Sequence, residues 1–375
     1  MSDAVAVTFV SSHARLGGEE NYLARLLDEL GPDWIRSVVC LEDAPFVERL
    51  RAQGIPAEVI PTSARAPGIL RSALRLRRSL KRARPQVVHA NGVKAAVVCA
   101  AAMPGTHLPL IWVKHDFSWD GPLARAVARR CTQVVGVSMA VTETFRGATR
   151  KKVHVVHNGL PELAVDREEG RRRVEALLGG PAEDVVSLVA RIDPTKGHRE
   201  LLAVLPDLLA RRPGLRVAFI GAEHFPHLAF ADDLKRELAA LGLEQVVAFL
   251  GFREDAVELI AGSDLVVVPS TVDARGMGRE GFPYVGLEAM AMGTPVVGYD
   301  HGGLPELLGD CGRLVPPGDH FALRDALLGV LEDEGLRSRL ADCGRRRVQE
   351  RFSLAGMVQA MKERYREAAA RPTAL

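Results

Sequence analysis

Two glutamates eight residues apart, Glu280 and Glu288, give the first indication of chemistry in this chain. Pro283 between them suits a first helical turn because it has no N–H to donate, and Gly293 is typical of a helix end. The segment therefore predicts a short helix, with Glu280 just before it and Glu288 two turns into it. Carboxylates accept hydrogen bonds from pairs of hydroxyls. Glutamates at opposite ends of one segment are thus suited to hold two parts of an extended polyhydroxylated ligand.

Two cations five residues apart, Arg191 and Lys196, follow the apolar run 185–190 and precede an amphipathic stretch. The arginine fork binds phosphate through two hydrogen bonds, and the lysine adds a compact positive charge. A helix N-terminus on the same side would add its dipole. The pattern predicts a diphosphate site, with a surface turn carrying two solvated cations as the alternative.

A pair of glycines, Gly17 and Gly18, separates the apolar run 4–10 from the amphipathic stretch 19–30. Glycine lets the backbone approach a ligand closely, and a helix N-terminus favours an anion. The surrounding residues match neither the G-x-G-x-x-G dinucleotide fingerprint nor a P-loop. The pair predicts either a phosphate contact or a flexible turn between a strand and a helix.

The elements that must position these residues alternate along the whole chain. The strand-like runs are 4–10, 36–41, 86–90, 109–114, 133–138, 153–157, 185–190, 215–220, 246–250, 264–268 and 295–299. Many are nearly continuous Val, Leu and Ile, as expected for strands covered on both faces. The amphipathic stretches between them include 19–30, 68–83, 197–211 and 320–333. This alternation predicts an α/β fold with parallel sheets, which bind ligands at the carboxyl ends of their strands.

The chain has 375 residues, which is enough for two or three domains. A break follows Asn158, where a turn leads into the charged stretch 166–175. We therefore predict two Rossmann-like domains that face each other across a cleft, 1–162 and 163–354. The tail 353–370 predicts a long helix with Ser353 as its N-cap.

Composition limits the class of protein. The 49 Lys and Arg nearly balance the 47 Asp and Glu, which argues against a general nucleic-acid binder. The five cysteines are widely spaced without a C-x-x-C pair, so reduced cytosolic thiols are expected. The first residues have no basic region or cleavage site, and no uncharged apolar run approaches the roughly 18 residues of a membrane span. We expect a cytoplasmic protein.

These segments together resemble the retaining, nucleotide-sugar-dependent glycosyltransferases of family 4, whose GT-B fold is two Rossmann-like domains with a cleft between them. The matching positions are Gly17-Gly18, His115-Asp116, Asn158-Gly159, Arg191 with Lys196-Gly197, Gly251-Phe252, Pro269-Ser270, Glu280 to Glu288, Gly302-Gly303 with Pro305-Glu306, and Val315 to Asp319. The segment from Glu280 to Val297 is the specific one, and the others occur in the family's order. The resemblance also implies that 355–375 pack back on the N-terminal domain, which would bind the acceptor.

The resemblance implies a role for each matching residue in the C-terminal, donor-binding domain. Arg191 and Lys196 would bind the donor diphosphate and neutralise its charge as it leaves. Glu288 would accept hydrogen bonds from the ribose, and Glu280 would hold hydroxyls of the transferred sugar. The remaining donor contacts would come from the backbone of Gly281, Phe282 and Pro283, and from Phe252 and Arg253 beside the base.

In the N-terminal domain the resemblance implies that Gly17 and Gly18 approach the phosphate. His115 would lie near the anomeric centre, although it is also consistent with a structural histidine. The expected catalytic set is His115, Glu280, Arg191 and Lys196. The donor is a nucleotide-diphosphate sugar, a UDP-sugar ahead of a GDP-sugar, with no metal and no tightly bound cofactor. The acceptor is a small molecule, a saccharide or a lipid.

Two features depart from the family pattern. The loop 271–279 is long, and its Arg275 and Arg279 would either reach the phosphates or an anionic donor sugar, or remain solvated. Pro283 stands where many relatives have glycine, which removes one N–H that could contact a sugar hydroxyl. Both features leave the identity of the sugar open.

Residues 71–84 hold seven Arg and Lys interleaved with leucines. They predict an amphipathic basic helix that is either a solvated face or a surface that lies on an anionic membrane.

Two other functions remain alternatives. A nucleotide-sugar epimerase shares the two-domain architecture but would convert the donor without an acceptor. A non-catalytic sugar-nucleotide-binding partner would keep the donor residues without turnover.

Overall fold

The computed structural model describes residues 3–13, 17–63, 65–223, 227–273 and 276–370. The chain folds as two compact units: an N-terminal unit, Met1–Gly159 with Leu354–Leu375, and a C-terminal unit, Leu160–Ser353. The chain first passes from the N-terminal to the C-terminal unit after residue 159, three residues before the predicted boundary at 162. The return crossing lies one residue before the predicted start at 355.

The N-terminal unit is built on a seven-stranded parallel sheet in the order β3-β2-β1-β4-β5-β6-β7. Its strands are β1 (Val7–Ser11), β2 (Ile35–Cys40), β3 (Ala57–Val59), β4 (Val87–Asn91), β5 (Leu110–Lys114), β6 (Gln133–Gly136) and β7 (Val153–Val155). Its helices are α1 (Gly18–Leu30), α2 (Pro45–Ala52), α3 (Ala66–Ala83), α4 (Val93–Ala102), α5 (Pro122–Arg130) and, at the chain end, α14 (Leu354–Ala370).

Helices cover both faces of this sheet. On one face α3, α4 and α5 form a core with the strands, through Leu76, Val98 and Val127 against Trp112. On the other, α14 packs on α1, and the hydroxyl of Tyr365 lies 2.7 Å from Nδ1 of His89 on β4. The C-terminal helix therefore completes the N-terminal unit, as the GT-B resemblance implied.

The C-terminal unit has a six-stranded parallel sheet in the order β10-β9-β8-β11-β12-β13. Its strands are β8 (Asp184–Val189), β9 (Leu215–Ile220), β10 (Val247–Gly251), β11 (Leu265–Val268), β12 (Val296–Tyr299) and β13 (Arg313–Val315). Its helices are α6 (Arg167–Leu177), α7 (His198–Arg211), α8 (Leu228–Ala240), α9 (Ala256–Ala261), α10 (Tyr284–Met292), α11 (Leu304–Leu308), α12 (His320–Glu332) and α13 (Glu334–Arg351). The predicted fold of two parallel α/β sheets is confirmed.

The strands that the sequence pattern missed are β3 and β13. Each has three residues, Ala-Glu-Val and Arg-Leu-Val, and each lies at an edge of its sheet. An edge strand has one hydrogen-bonded neighbour and tolerates short, charged sequences. Neither strand therefore produces an apolar run.

The expectation that all five cysteines are reduced thiols is wrong for one pair. Cys311 and Cys343 form a disulfide, with their Cα atoms 5.2 Å apart. They are 32 residues apart in sequence, and they meet where α13, which holds Cys343, packs on the end of α11: Arg347 donates to the carbonyls of Glu306 and Leu307. Cys40, Cys99 and Cys131 are buried free thiols.

Candidate functional site

The carboxyl ends of β8 and β11 are neighbours where the strand order of the C-terminal sheet reverses. The loops that follow them are in contact: the N–H of Thr271 donates to the carbonyl of Thr195 at 2.8 Å. Gly197 has φ +78°, and a Cβ there would lie 1.9 Å from the carbonyl oxygen of Pro269. Glycine is therefore required where the two loops cross.

Asp193 shapes the first of these loops. Its carboxylate accepts from the N–H of Thr195 at 2.9 Å and from its hydroxyl at 2.7 Å. Burial alone would raise the pKa of Asp193, but these hydrogen bonds and the charges of His227 and Lys196 hold it below its usual value. An ionised Asp193 thus fixes the single 3₁₀ turn Pro194–Lys196, from which the lysine side chain extends.

The centre of the site is a contact between two predicted residues 84 positions apart. Nζ of Lys196 lies 2.7 Å from Oε1 of Glu280, which also accepts from the hydroxyl of Ser270 at 2.8 Å. About one fifth of each charged side chain is exposed. Burial alone would raise the pKa of Glu280, but Lys196 and the hydrogen bond from Ser270 outweigh it and lower the pKa. Glu280 is therefore ionised at neutral pH.

The loop after β12 holds Glu280 from the other side. The N–H of Gly303 donates to the backbone carbonyl of Glu280 at 2.8 Å. Gly302 has φ +65°, and a Cβ there would lie 2.3 Å from the same oxygen. His301 donates from Nε2 to the carbonyl of Ser270. The site is thus built from the ends of three adjacent strands.

The helix after Glu280 begins later than the sequence predicted. Pro283 is the N-cap of α10, with extended backbone angles, and the helix starts at Tyr284. Glu288 is consequently one turn into the helix, not two, and its side chain is half-buried. Pro283 lacks the N–H that a first helical residue leaves unpaired, so either position suits it. The predicted helix end is confirmed, since Gly293 adopts the left-handed conformation at the C-cap.

Three other residues predicted to contact the donor follow strands of the same sheet. Arg191 is exposed in the same loop as Lys196. Phe252 and Arg253 follow β10. Strand β9 lies between β10 and β8, so these two residues are about 10 Å from β8. Phe252 is 63% exposed, but Asp255 binds the guanidinium of Arg253 through two hydrogen bonds of 2.8 and 2.7 Å. The sequence pattern does not predict this pairing.

The residues predicted from the N-terminal unit are grouped at the carboxyl ends of its own strands. His115 follows β5, and its Nε2 lies 2.7 Å from Oδ1 of Asn91 at the end of β4. The amide of Asn91 in turn donates to the backbone carbonyl of Glu19 at 3.1 Å. Gly17 caps α1 in an extended conformation, and a Cβ on Gly18 would meet no atom within 4 Å. This end of α1 is therefore open, without backbone strain at either glycine.

The imidazole of His115 is held neutral. Its ring packs against Tyr22 with centroids 4.8 Å apart, and burial, with repulsion from Lys114, lowers its pKa to about 3. Because Oδ1 of Asn91 can only accept, Nε2 carries the proton. The free lone pair is then on Nδ1.

We expect the ring nitrogens of His115 to keep the ¹⁵N shifts of the neutral Nε2–H tautomer from pH 5 to pH 8. The resonances are assigned by their loss in His115→Gln, and that variant is compared with wild type at both ends of the range. A midpoint near pH 6.5 would contradict the neutral imidazole.

Comparison with known proteins identifies the family. Residues 178–347 match the family described as glycosyl transferases group 1, and residues 16–162 match glycosyltransferase family 4. A D-inositol 3-phosphate glycosyltransferase of Nocardioides sp. is 32% identical over 320 residues, which cover 75% of this chain and 68% of that protein. This chain is a family 4 glycosyltransferase.

This chain matches only part of the length of each of these relatives. The protein of the same name from Nocardia farcinica is 36% identical over 228 residues, which cover 58% of this chain. The alignments cover 48% of that protein and 68% of the Nocardioides one. The chain thus spans about half to two thirds of the length of these relatives.

Solved structures support the same assignment over nearly the whole chain. Anabaena Alr3699/HepE in complex with UDP has a TM-score of 0.81 and 27% identity, covering 96% of this chain and 99% of that one. The same protein has also been solved with UDP and glucose, at a TM-score of 0.83. Sucrose-phosphate synthase of Thermosynechococcus elongatus, at 19% identity and a TM-score of 0.75, shares the fold.

The candidate site also includes residues without a role predicted from the sequence. Ser270 and His301 both act on Glu280 or its loop, and Asn91 orients His115. The signal for them in the sequence is mainly position, since Asn91 ends β4, and Ser270 and His301 lie two residues after β11 and β12. That signal is weak because a serine, histidine or asparagine in a turn is common.

Arg275 lies outside the described residues, and the described Arg279 is half-buried. Within the described ranges, no three His, Cys, Asp or Glu side chains are grouped so as to hold a metal ion. No helix in the described part of the chain is long and apolar enough to cross a membrane.

Proposed function

We propose that this protein transfers a hexose-type sugar from a nucleotide-diphosphate donor to a hydroxyl of an acceptor. The transfer retains the anomeric configuration and uses no metal ion. The observation that carries the proposal is the ionised pair of Lys196 and Glu280 where the loops after β8 and β11 cross. This pair places a cation for a diphosphate beside a carboxylate for sugar hydroxyls.

In this proposal Arg191 and Lys196 stabilise the leaving diphosphate. Negative charge develops on the phosphate oxygen as its bond to the sugar breaks, and a fixed cation lowers the energy of that state. Gly197 is the N-cap of α7, so the positive end of the helix dipole lies directly after Lys196. These groups together supply the charge that a divalent ion provides in other enzymes.

The carboxylates hold the rest of the donor. Glu280 accepts two hydrogen bonds within the protein, and a carboxylate has about four acceptor positions, so two remain for sugar hydroxyls. The backbone of Gly281, Phe282 and Pro283 lines the same sugar, and Glu288 accepts from the ribose. Phe252 and Arg253 lie beside the base. Gly17, Gly18 and His115 of the N-terminal unit complete the donor contacts.

The chemical step exchanges one bond at the anomeric carbon for another on the same face. The bond from that carbon to the diphosphate oxygen breaks, and the acceptor oxygen forms the new bond. The proton of the acceptor hydroxyl passes to the leaving phosphate oxygen. No side chain need form a covalent intermediate along this route.

A UDP-sugar is the favoured donor, with a GDP-sugar as the alternative. Alr3699/HepE, which is 25% identical to this chain in its complex with UDP and glucose, supports this choice. Relatives named D-inositol 3-phosphate glycosyltransferase make D-inositol 3-phosphate the first acceptor to test.

We expect UDP, among UDP, GDP, ADP and dTDP, to raise the unfolding temperature selectively in EDTA. A ligand at about 100 times its Kd stabilises the folded state by roughly 2.7 kcal/mol. The shift should be lost in Arg191→Ala and kept in Arg211→Ala, an arginine of α7 that pairs with Glu332. The absence of a shift with every nucleotide, in EDTA and again with magnesium, would contradict the donor site.

Turnover separates the alternatives. A glycosyltransferase releases the nucleoside diphosphate and labels the acceptor, whereas an epimerase converts the donor sugar without an acceptor. A non-catalytic partner would bind UDP and do neither.

A further inference from the structure

The chain contains no Asp or Glu between Glu58 and Asp116, while the same stretch holds ten Lys and Arg. It includes all of α3, α4 and β5. A stretch this long without an acid is unusual in a protein whose acids and bases nearly balance overall. The positive charge must therefore be offset elsewhere.

The compensating negative charge lies in the C-terminal unit. The N-terminal unit carries 26 Lys and Arg against 15 Asp and Glu, a net charge of +11. The C-terminal unit carries 23 against 32, a net charge of −9. The near-zero total thus hides a strongly cationic domain, and charge asymmetry of this kind indicates an anionic partner.

The structure divides the leucines of α3 into two sets. Leu76 and Leu80 are buried in the core beneath the sheet, whereas Leu70 and Leu74 are 61% and 54% exposed. The exposed pair shares a stripe at helical spacing with exposed cations. The stripe, which we call the α3 face, consists of Leu70, Arg71, Leu74, Arg75, Arg78, Lys81 and Arg82.

Most cations of the α3 face are unpaired. Arg82 lies 3.2 Å from Glu58. Within the described residues Arg71, Arg75, Arg78 and Lys81 form no ion pair. Their charge is available to an external partner.

A second helix on the same side of the sheet, α5, also carries both exposed cations and an exposed leucine. α5 packs into the same core as α3, with α4 between them. It exposes Arg129 and Arg130, and Leu123 is 43% exposed. This side of the N-terminal unit thus has a second helix with exposed cations and an exposed leucine.

We propose that the α3 face docks this protein on an anionic membrane surface. Arginines and lysines would lie at the lipid headgroups, and Leu70 and Leu74 would enter the boundary with the acyl chains. The exposed leucines favour this partner over a soluble polyanion, because a polyanion gains nothing from apolar side chains. The proposal does not depend on which donor or acceptor the enzyme uses.

The test is flotation of the full chain with vesicles. We expect binding to phosphatidylcholine vesicles that contain one third phosphatidylglycerol, none to pure phosphatidylcholine, and release at high salt. Arg71→Gln/Arg75→Gln/Arg78→Gln should lower the partition coefficient by about 100-fold, since each cation contributes about fivefold. Leu70→Ser/Leu74→Ser should lower it by about tenfold.

The controls remove the same residue types from the C-terminal unit. Arg339→Gln/Arg346→Gln/Arg351→Gln changes three exposed arginines of α13, which has 18 residues as α3 does. Leu228→Ser/Leu241→Ser changes two leucines that are 47% and 51% exposed. Both controls should bind as wild type does, and the UDP-induced shift in unfolding temperature checks that every variant is folded.

Three results would overturn the proposal. They are no flotation of wild type at low salt, equal losses in the α3 variants and their controls, or unchanged binding after loss of Leu70 and Leu74 with full displacement by heparin. The last result would assign the surface to a soluble polyanion. None of them bears on the donor site, whose test is UDP binding.

Discussion

Lys196→Ala is expected to lower kcat/KM by about a thousandfold. Two losses combine in this variant. The leaving diphosphate loses a cation, and Glu280 keeps a buried carboxylate without its partner 2.7 Å away. Removal of one member of such a pair costs more than the pair contributes, because the remaining charge stays poorly solvated. The measurement is steady-state kinetics with UDP affinity by calorimetry.

The matched control is Lys235→Ala. Lys235 also pairs with a glutamate, Glu223, at 2.6 Å, but both side chains are more than 40% exposed. Exposed pairs contribute about 0–1 kcal/mol, so this variant should keep its activity and nearly all its stability. Activity of Lys196→Ala within about tenfold of wild type, with unchanged UDP affinity, would contradict a role at the diphosphate.

The activity of Lys196→Ala should also depend on pH differently from that of wild type. The folded pKa of Glu280 is below its usual value of 4.5, so the ionised pair stabilises the fold above that pH and is lost as the pH falls through the folded pKa. Without Lys196 the effect of burial dominates and the pKa rises. The acid limb of the residual activity should therefore move to higher pH than in wild type, and Glu280→Gln in the same background should remove that limb.

Gly197→Ala is expected to destabilise the protein by about 3 kcal/mol or more and to lower kcat by about 100-fold or more. A left-handed conformation costs a residue with a side chain about 1–2 kcal/mol. The new methyl group would also lie 1.9 Å from the carbonyl oxygen of Pro269, and this oxygen is backbone and cannot rotate away. The loops that carry Lys196 and Ser270 must then separate, which breaks their shared contact with Glu280.

Gly242→Ala separates the two causes. Gly242 has φ +67° and lies at the exposed end of α8, where a Cβ would meet no atom within 4 Å. It should lose about 1 kcal/mol from the backbone conformation alone and keep full kcat. Urea unfolding and kcat are compared for the two variants. Equal losses of stability and kcat in both variants would show that the contact between the loops after β8 and β11 is not the cause of the effect.

The class of fold and the segments of the site can be predicted from the chain alone. Long strands covered on both faces consist of nearly continuous Val, Leu and Ile, so every predicted run corresponds to a strand. The glutamate segment is recognisable because its helix signals and both carboxylates are local. The family follows from the order of such local segments.

Which of these residues touch depends on the packing of distant elements. Lys196 and Glu280 are 84 positions apart, and their contact requires β8 and β11 to be adjacent in a sheet whose strand order is non-consecutive. The disulfide of Cys311 and Cys343 depends on α13 packing on the end of α11. The backbone of Glu280, just before α10, is held by the N–H of Gly303, which lies 23 positions further along the chain.

The same division applies to the α3 face. Helical spacing already puts Leu70 and Leu74 on one face of α3 and Leu76 and Leu80 on another, but the sequence allows the first face to be either a solvated or a docking surface. Only the packing of α3 on its sheet shows that Leu76 and Leu80 are the buried pair and Leu70 and Leu74 the exposed one. Periodicity within one element depends on local backbone geometry, so it can be read from sequence. Contacts between elements depend on packing across the whole unit, and only the folded structure shows them.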